Sequence, residues 1–327
     1  MKAIICERYG PPEVLRMRDL PAPAPRPGEV LIRVRATTVS SGDRRIRAFD
    51  IPSGMGPMVR LVLGVRGPRK QVLGTELSGD VVAVGKKVSR FAVGERVFAF
   101  PGGKMGAYAE YRCMPETGAI APIPDGLRYE AAAALSFGGC TALDFFRKAD
   151  LRAGEEVLII GASGSVGTAA VQLARHTGAR VTGVCSGTNA ALVGSLGADT
   201  VLDYTRDTFE ADGTRYDVIM DTVGAARAEA LLELLNPGGR LLLVAAGLRD
   251  MLRTPAAARR QGKRVVAGPA TERPEYVGQL ADLVGAGAYK AVIDRTFPFD
   301  QIIDAHRYVD TGRKRGNVVI TVDPREE

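Results

Sequence analysis

The chain has no tryptophan, two histidines and four cysteines among its 327 residues. Without tryptophan, and with aromatics at 6%, it lacks the stacking platforms that single-stranded nucleic acid needs. Its 44 lysines and arginines give a net charge of +7 but are dispersed along the chain, so no nucleic-acid partner is expected and a small anionic ligand explains the charge equally well. Cys6, Cys113, Cys140 and Cys185 show neither the short paired spacing of a zinc knuckle nor the density of a disulfide scaffold. They read as buried or idle thiols. No window approaches the roughly 18 uncharged apolar residues of a membrane span, and Met1 to Gly10 lacks the apolar centre of a signal peptide. A cytoplasmic protein with no membrane partner is expected.

What is present suggests two domains, by length and by a hydrophobic content of 46%. The first part reads as short strands between Pro and Gly clusters: Ala3 to Ile5, Val30 to Val34, Gly79 to Val84 and Glu95 to Ala99. A β-rich, partly closed barrel follows from that pattern. From about Pro124 helices alternate with apolar strands at Glu156 to Ile160, Arg180 to Val184, Asp217 to Met220 and Arg240 to Ala245. That alternation argues for βαβ crossovers and a parallel sheet, an α/β fold. After about Gly268 a helix (Pro274 to Leu283) and a last strand (Val318 to Val322) remain. The Pro21 to Pro27 run reads as a surface loop and Arg44 to Arg47 as a solvated face.

The stretch "EVLIIGASGSVG", Glu156 to Gly167, carries the first functional signal. A buried strand ends at Ile160, glycines follow at 161, 164 and 167, and a helix of Val166 to Arg175 begins where they finish. A side chain in this turn would hold a pyrophosphate off the backbone, while the amides at the helix start supply donors and a favourable dipole. Gly161, Ser163, Gly164, Ser165, Val166 and Gly167 are therefore candidate cofactor-binding residues.

Further stretches carry a resemblance: "MKAIICERYGPPEVLRM", "PRPGEVLIRVRATTVSSGD", "LGTELSGDVVAVGKKVSRFAVGERVFAF", "GAYAEY", "GASGSVGTAAVQLAR", "LGADTVLDYT", "YDVIMDTVG", "LNPGGRLLLV" and "GNVVITV". Along essentially its whole length the sequence resembles the zinc-free quinone oxidoreductase group of the medium-chain dehydrogenase/reductase superfamily. The resemblance implies a GroES-like catalytic domain over 1–123 and 268–327, a Rossmann domain with a doubly wound parallel sheet over 124–267, and a homodimer. Zinc-dependent members place catalytic zinc ligands where this chain has Ser40, Thr75 and Phe137, none of which is a normal zinc ligand. No metal is expected. His176 and His306 fall on helices away from those positions and read as surface or packing residues.

Without a metal Lewis acid, alcohol oxidation loses its usual alkoxide stabilisation. A quinone or α,β-unsaturated carbonyl spreads the incoming charge over a conjugated system, so hydride delivery to such a small-molecule electrophile is the leading expectation. A zinc-free alcohol or aldehyde reductase, a 2-enoyl thioester reductase and a non-catalytic NADPH-binding relative are the alternatives.

The cofactor follows from the end of the second Rossmann strand, where NAD enzymes place an acid on the ribose 2′-hydroxyl. Ser186 stands there and no carboxylate is near in sequence, so NADPH is expected, with NADH admitted. The resemblance adds Thr141 near the nicotinamide, Tyr204 near the adenosine phosphate, Val223, Gly224, Ala245, Ala246 and Gly247 at the ends of the fourth and fifth strands, and Asn317 near the C-terminus. Thr141 reads alternatively as a helix cap. On the substrate side, Ser40 has two readings, a hydroxyl that orients a carbonyl and a strand-end hydroxyl bonded to backbone. Asp43 reads as a turn residue rather than a base. Met105 and Phe137, with the 49–69 loop, line an apolar substrate pocket or serve as packing.

Overall fold

The computed structural model describes residues 1–51, 54–207, 213–224 and 226–322. It divides into two compact units, one of Met1–Ile51, Pro57–Phe137 and Glu272–Glu327, the other of Pro52–Gly56 and Gly138–Thr271. The changes of pattern at residues 124 and 268 lie earlier than these boundaries. The reason at the first is packing: Ala133 and Ala134 bury against Ala36 and Val319 of the first unit.

The chain opens with β1 (Lys2–Cys6), β2 (Leu15–Asp19), β3 (Glu29–Thr38), β4 (Leu77–Val84), β5 (Arg96–Ala99), β6 (Tyr111–Pro115) and β7 (Ile120–Pro122). The second unit follows with β8 (Glu156–Ile160), β9 (Arg180–Cys185), β10 (Thr200–Asp203), β11 (Tyr216–Asp221), β12 (Leu235–Leu243) and β13 (Arg264–Ala267). The return to the first unit supplies β14 (Ile293–Pro298) and β15 (Asn317–Thr321).

In the first unit one sheet runs in the order β14-β15-β3-β4-β5-β7, with β6 also pairing β3. The long β3 alternates buried and half-exposed positions, the period expected of a strand with one face on a core. Its register against β4 shifts twice, between Leu31 and Ile32 and between Val34 and Ala36, and such bulges bend a strand around what it covers. Val30, Ile32 and Val34 pack there with Leu77, Val81, Val97 and Val318. Among the described residues β14 and β7 do not pair, so the sheet stays open at its ends.

One expectation fails in this unit. Arg47 does not face solvent: it is 1% exposed and donates to both oxygens of Asp310, at 2.5 and 2.7 Å, and to the Gly10 carbonyl at 2.7 Å. One guanidinium nitrogen, Nη2, reaches both carboxylate oxygens while Nη1 holds Gly10, which ties the Ser41–Ala48 helix to the Ile302–Asp310 helix.

The second unit is a six-stranded sheet in the order β10-β9-β8-β11-β12-β13. Every pairing in it is parallel. Taken in chain order, its strands lie third, second, first, fourth, fifth, sixth, the doubly wound dinucleotide arrangement with a switch point between β8 and β11. β8 matches the expected Glu156 to Ile160. β12 begins earlier than Arg240, and β10 and β13 were not anticipated. No helix among the described residues is long and apolar enough to cross a membrane.

Candidate functional site

The glycine turn sits at the carboxyl end of β8, at the switch point. Its three glycines are needed for three different reasons. Gly161 has φ +78°, where a side chain is strained, and a Cβ there would stand 2.6 Å from Thr222 Oγ1 and 2.7 Å from Val223 Cγ1. Gly167 brings the helix against the strand, since a Cβ would lie 2.1 Å from the Gly161 carbonyl oxygen and 2.7 Å from Ala162 Cα. Gly164 differs from both. Its φ of −80° and ψ of 178° suit any residue, and the nearest protein atom to a Cβ would be the Gly161 oxygen at 3.5 Å. No contact among the described residues requires a glycine at 164, and the absence of a side chain there would suit a pyrophosphate approaching the backbone.

The Ser165–His176 helix starts directly after Gly164, with no side-chain cap. Its first amides therefore have no intrahelical acceptor and carry the positive end of the helix dipole. The turn, the donors and the dipole fit the pyrophosphate of a dinucleotide.

At the end of β9, Asn189 joins two parts of the site. Its Nδ2 donates to Ser163 Oγ at 3.2 Å and to Ser186 Oγ at 3.1 Å, and Ser186 Oγ lies 3.1 Å from Thr188 Oγ1. Asn189 was not singled out in the sequence because nothing there shows the loop folding back on the glycine turn. A carboxylate from elsewhere in the chain lies beside Gly187, the residue after Ser186. β10 pairs with β9 so that Asp203 stands opposite Cys185, and a Cβ on Gly187 would be 2.4 Å from Asp203 Oδ2. The Thr205 amide and hydroxyl donate to Asp203 Oδ1 at 3.0 and 2.8 Å, and these bonds, with that from the Gly187 amide, hold its carboxyl below the usual range. Tyr204, 61% exposed, donates its amide to the Cys185 carbonyl and so belongs to the same corner.

The other strand ends line up by register. Ile160 pairs with Val184 and with Asp221, and Asp221 with Leu243. Beyond Asp221, the Val223 and Gly224 amides donate to its Oδ1 at 2.9 and 2.8 Å. Val223 is half exposed, and a Cβ on Gly224 would meet the Ala245 carbonyl at 3.2 Å. Ala245 and Ala246 are half-buried, and Gly247 leads into the Leu248–Arg260 helix. Thr141 lies inside the Ser136–Ala149 helix, so it is not a cap.

In the first unit Ser40 caps the Ser41–Ala48 helix. Its Oγ accepts from the Asp43 amide at 3.1 Å and donates to Asp43 Oδ2 at 2.6 Å, while its own amide donates to the same oxygen at 2.9 Å. The residue is 2% exposed, and its hydroxyl proton is committed to Asp43. Burial pushes the Asp43 carboxyl up to about 6, against the bonds from Ser40 and Gly74. Burial likewise raises Glu76 to about 7, although Thr38 Oγ1 donates to it at 2.5 Å and the Phe137 amide at 2.6 Å.

Phe137 is half-buried, and a Cβ on Gly42 would meet its ring at 3.0 Å and Ser40 Oγ at 3.3 Å. Met105 packs inside the first unit, in line with the packing alternative. It is 2% exposed within the first unit's core, at φ +53°. Asn317 spends its amide nitrogen on the Ala134 and Val292 carbonyls at 3.2 and 3.1 Å, which fixes β15 within this unit.

Residues 26–125 match the alcohol dehydrogenase GroES-like domain, and residues 196–320 match the zinc-binding dehydrogenase model. A quinone oxidoreductase of Pseudomonas aeruginosa is 32% identical over 338 residues, with 98% of this chain and 99% of that one covered. A 2-methylene-furan-3-one reductase of Solanum lycopersicum is 31% identical, with 98% and 79% covered. The quinone oxidoreductase structure from Coxiella burnetii superposes with a TM-score of 0.86 at 29% identity, covering 99% of each chain. The chain belongs to the quinone oxidoreductase group of the medium-chain dehydrogenase/reductase superfamily.

Positions 40, 75 and 137 form a local corner of the first unit. Ser40 and Phe137 meet around Gly42, and Thr75 adjoins Glu76, which accepts from the Phe137 amide. Positions 40, 75 and 137 themselves supply two hydroxyls and a phenyl ring, none an ordinary zinc ligand, and the carboxylates beside them, Asp43 and Glu76, accept from Ser40 and from the Phe137 amide. Among the described residues no group of three His, Cys, Asp or Glu side chains is placed to hold a metal ion.

Proposed function

We propose that this chain is an NAD(P)H-dependent oxidoreductase that passes a hydride, without zinc, to a quinone or an α,β-unsaturated carbonyl. The observation that carries the reading is Gly164, where an added Cβ would meet the Gly161 oxygen only at ordinary contact distance, 3.5 Å, at the switch point of a doubly wound sheet. Family membership narrows the acceptor, since a Pseudomonas aeruginosa relative is named a quinone oxidoreductase and an Arabidopsis thaliana relative an NADPH-dependent alkenal/one oxidoreductase.

When bound, the reduced dinucleotide supplies the hydride. The residues of the turn, 161 and 163 to 167, hold the pyrophosphate through backbone amides and the helix dipole. Ser186, Thr188 and Asn189 offer hydroxyl and amide groups to the adenosine ribose, and Ser186 in place of an acid admits a 2′-phosphate. Tyr204 flanks that corner. Val223, Gly224, Ala245, Ala246 and Gly247, small or apolar residues at the carboxyl edge of the sheet, are assigned to the nicotinamide half, with Thr141 as its hydroxyl contributor. Charge that develops on a conjugated acceptor is already delocalised, so positioning and a few hydrogen bonds replace the Lewis acid that zinc supplies elsewhere.

Ser40 and Asn317 are assigned to the frame of the first unit, because their donors are already engaged there. The test is oxidation of NADPH and NADH by purified protein against a panel of quinones, enones, enoyl thioesters and ketones, with metal content measured alongside. Turnover of quinones or enones at far less than one zinc per chain supports the proposal. Turnover of ketones alone, or activity lost with a stoichiometric metal, rejects it.

A further inference from the structure

The corner where β9 and β10 end carries a feature that the glycine turn does not explain. β10 ends at Asp203, in register with the last residue of β9, and its carboxylate occupies the space that a side chain on Gly187 would need. Gly187 follows Ser186 directly, at the place where a dinucleotide fold meets the adenosine ribose. The Gly187 amide lies close enough to Asp203 to lower its carboxyl, so a negative charge already sits beside this backbone donor. The charge persists at neutral pH, because the bonds from Thr205 and Gly187, with Arg206 nearby, favour the ionised form. Asp207 adds a second acid behind it by accepting from the Asp203 amide at 2.8 Å. The side chains bonded to Ser186, namely Thr188 and Asn189, are uncharged.

A 2′-phosphate carries about −1.5 to −2 charges at neutral pH, whereas a 2′-hydroxyl carries none. An acid beside the ribose corner therefore discriminates between the two nucleotides even though Ser186 itself does not. We propose that Asp203 is a specificity-determining residue of the nucleotide site, one that weakens NADPH relative to NADH and leaves the chain able to use both. This rests on the reading of the glycine turn as a dinucleotide site.

The experiment measures equilibrium dissociation constants of NADPH and NADH by nicotinamide fluorescence, for the unsubstituted chain, Asp203→Asn and Asp203→Glu. Asparagine keeps an oxygen for the Gly187 and Thr205 amides while removing the charge. NADPH is expected to bind Asp203→Asn about threefold or more tighter, with NADH changed less than about twofold, as Coulomb repulsion at a solvated site predicts. The gain should shrink at about 0.5 M salt, where charges are screened over only a few ångströms, and Asp203→Glu should resemble the unsubstituted chain. Equal weakening of both nucleotides would reduce Asp203 to a loop support and overturn the inference, as would an unchanged ratio. Failure of the unsubstituted chain to bind either nucleotide would overturn the cofactor reading beneath it, a different result from an unchanged ratio.

Discussion

Ser40 donates its hydroxyl proton to Asp43 at 2.6 Å and accepts the Asp43 amide in return. This reciprocal pair closes the first turn of the Ser41–Ala48 helix, and it accounts for a serine and an aspartate three residues apart at a buried helix start. Ser40→Ala is expected to cost about 1 kcal/mol of unfolding free energy, measured by urea denaturation. Unchanged stability would mean that the cap contributes nothing.

His306 is fully buried with neither ring nitrogen hydrogen-bonded among the described residues. Its ring meets Tyr108 edge-on at 5.8 Å. Burial first, and the Arg47 charge second, push its pKa down to about 3. A depressed histidine contributes stability that is present above the unfolded value near 6.5 and is lost as pH falls. Asp43 and Glu76 act with the opposite sign, since their raised values favour the fold at low pH and that contribution fades as pH rises towards about 6 and about 7. His306→Phe should therefore reduce the stability lost between pH 8 and pH 5 by ~2 kcal/mol. Parallel stability profiles for the two proteins would show that His306 does not titrate on unfolding.

Gly167→Ala should destabilise the second unit by about 1–3 kcal/mol or more, because the new methyl meets the Gly161 backbone oxygen and overpacking of this kind forces backbone shifts. Thermal unfolding reads the effect. An unchanged melting temperature would contradict the close helix–strand approach.

The parts of the fold legible in the sequence were those with strong local signals. β8 is apolar from Val157 to Ile160 and runs into the glycines, so the strand and its turn can be read directly. β2 has the sequence Leu15 to Asp19 with one buried position, and β14 has none, so neither offers the alternation that marks a strand. Arg47 looks like a surface residue because its burial depends on Asp310, far along the chain, and the sequence leaves His306 between surface and packing for a similar reason. The Asp203 contact with Gly187 has the same origin. Parallel pairing of β9 with β10 brings those residues together, and a reading based on neighbours in sequence sees only a serine with no acid beside it.

The proposed site depends on Gly164 being glycine for the sake of a ligand rather than for the fold. Its backbone angles suit a β-branched residue, and no protein atom lies within 3.4 Å of the added Cβ. The decisive measurement is a paired one on Gly164→Val: thermal unfolding, and NADPH binding by fluorescence titration. The melting temperature should stay within about 4 °C of the unsubstituted protein, a change of roughly 1 kcal/mol or less for a unit of this size, while NADPH binding disappears. Retained NADPH affinity in a folded Gly164→Val protein would contradict the placement of the pyrophosphate, and with it the proposed site.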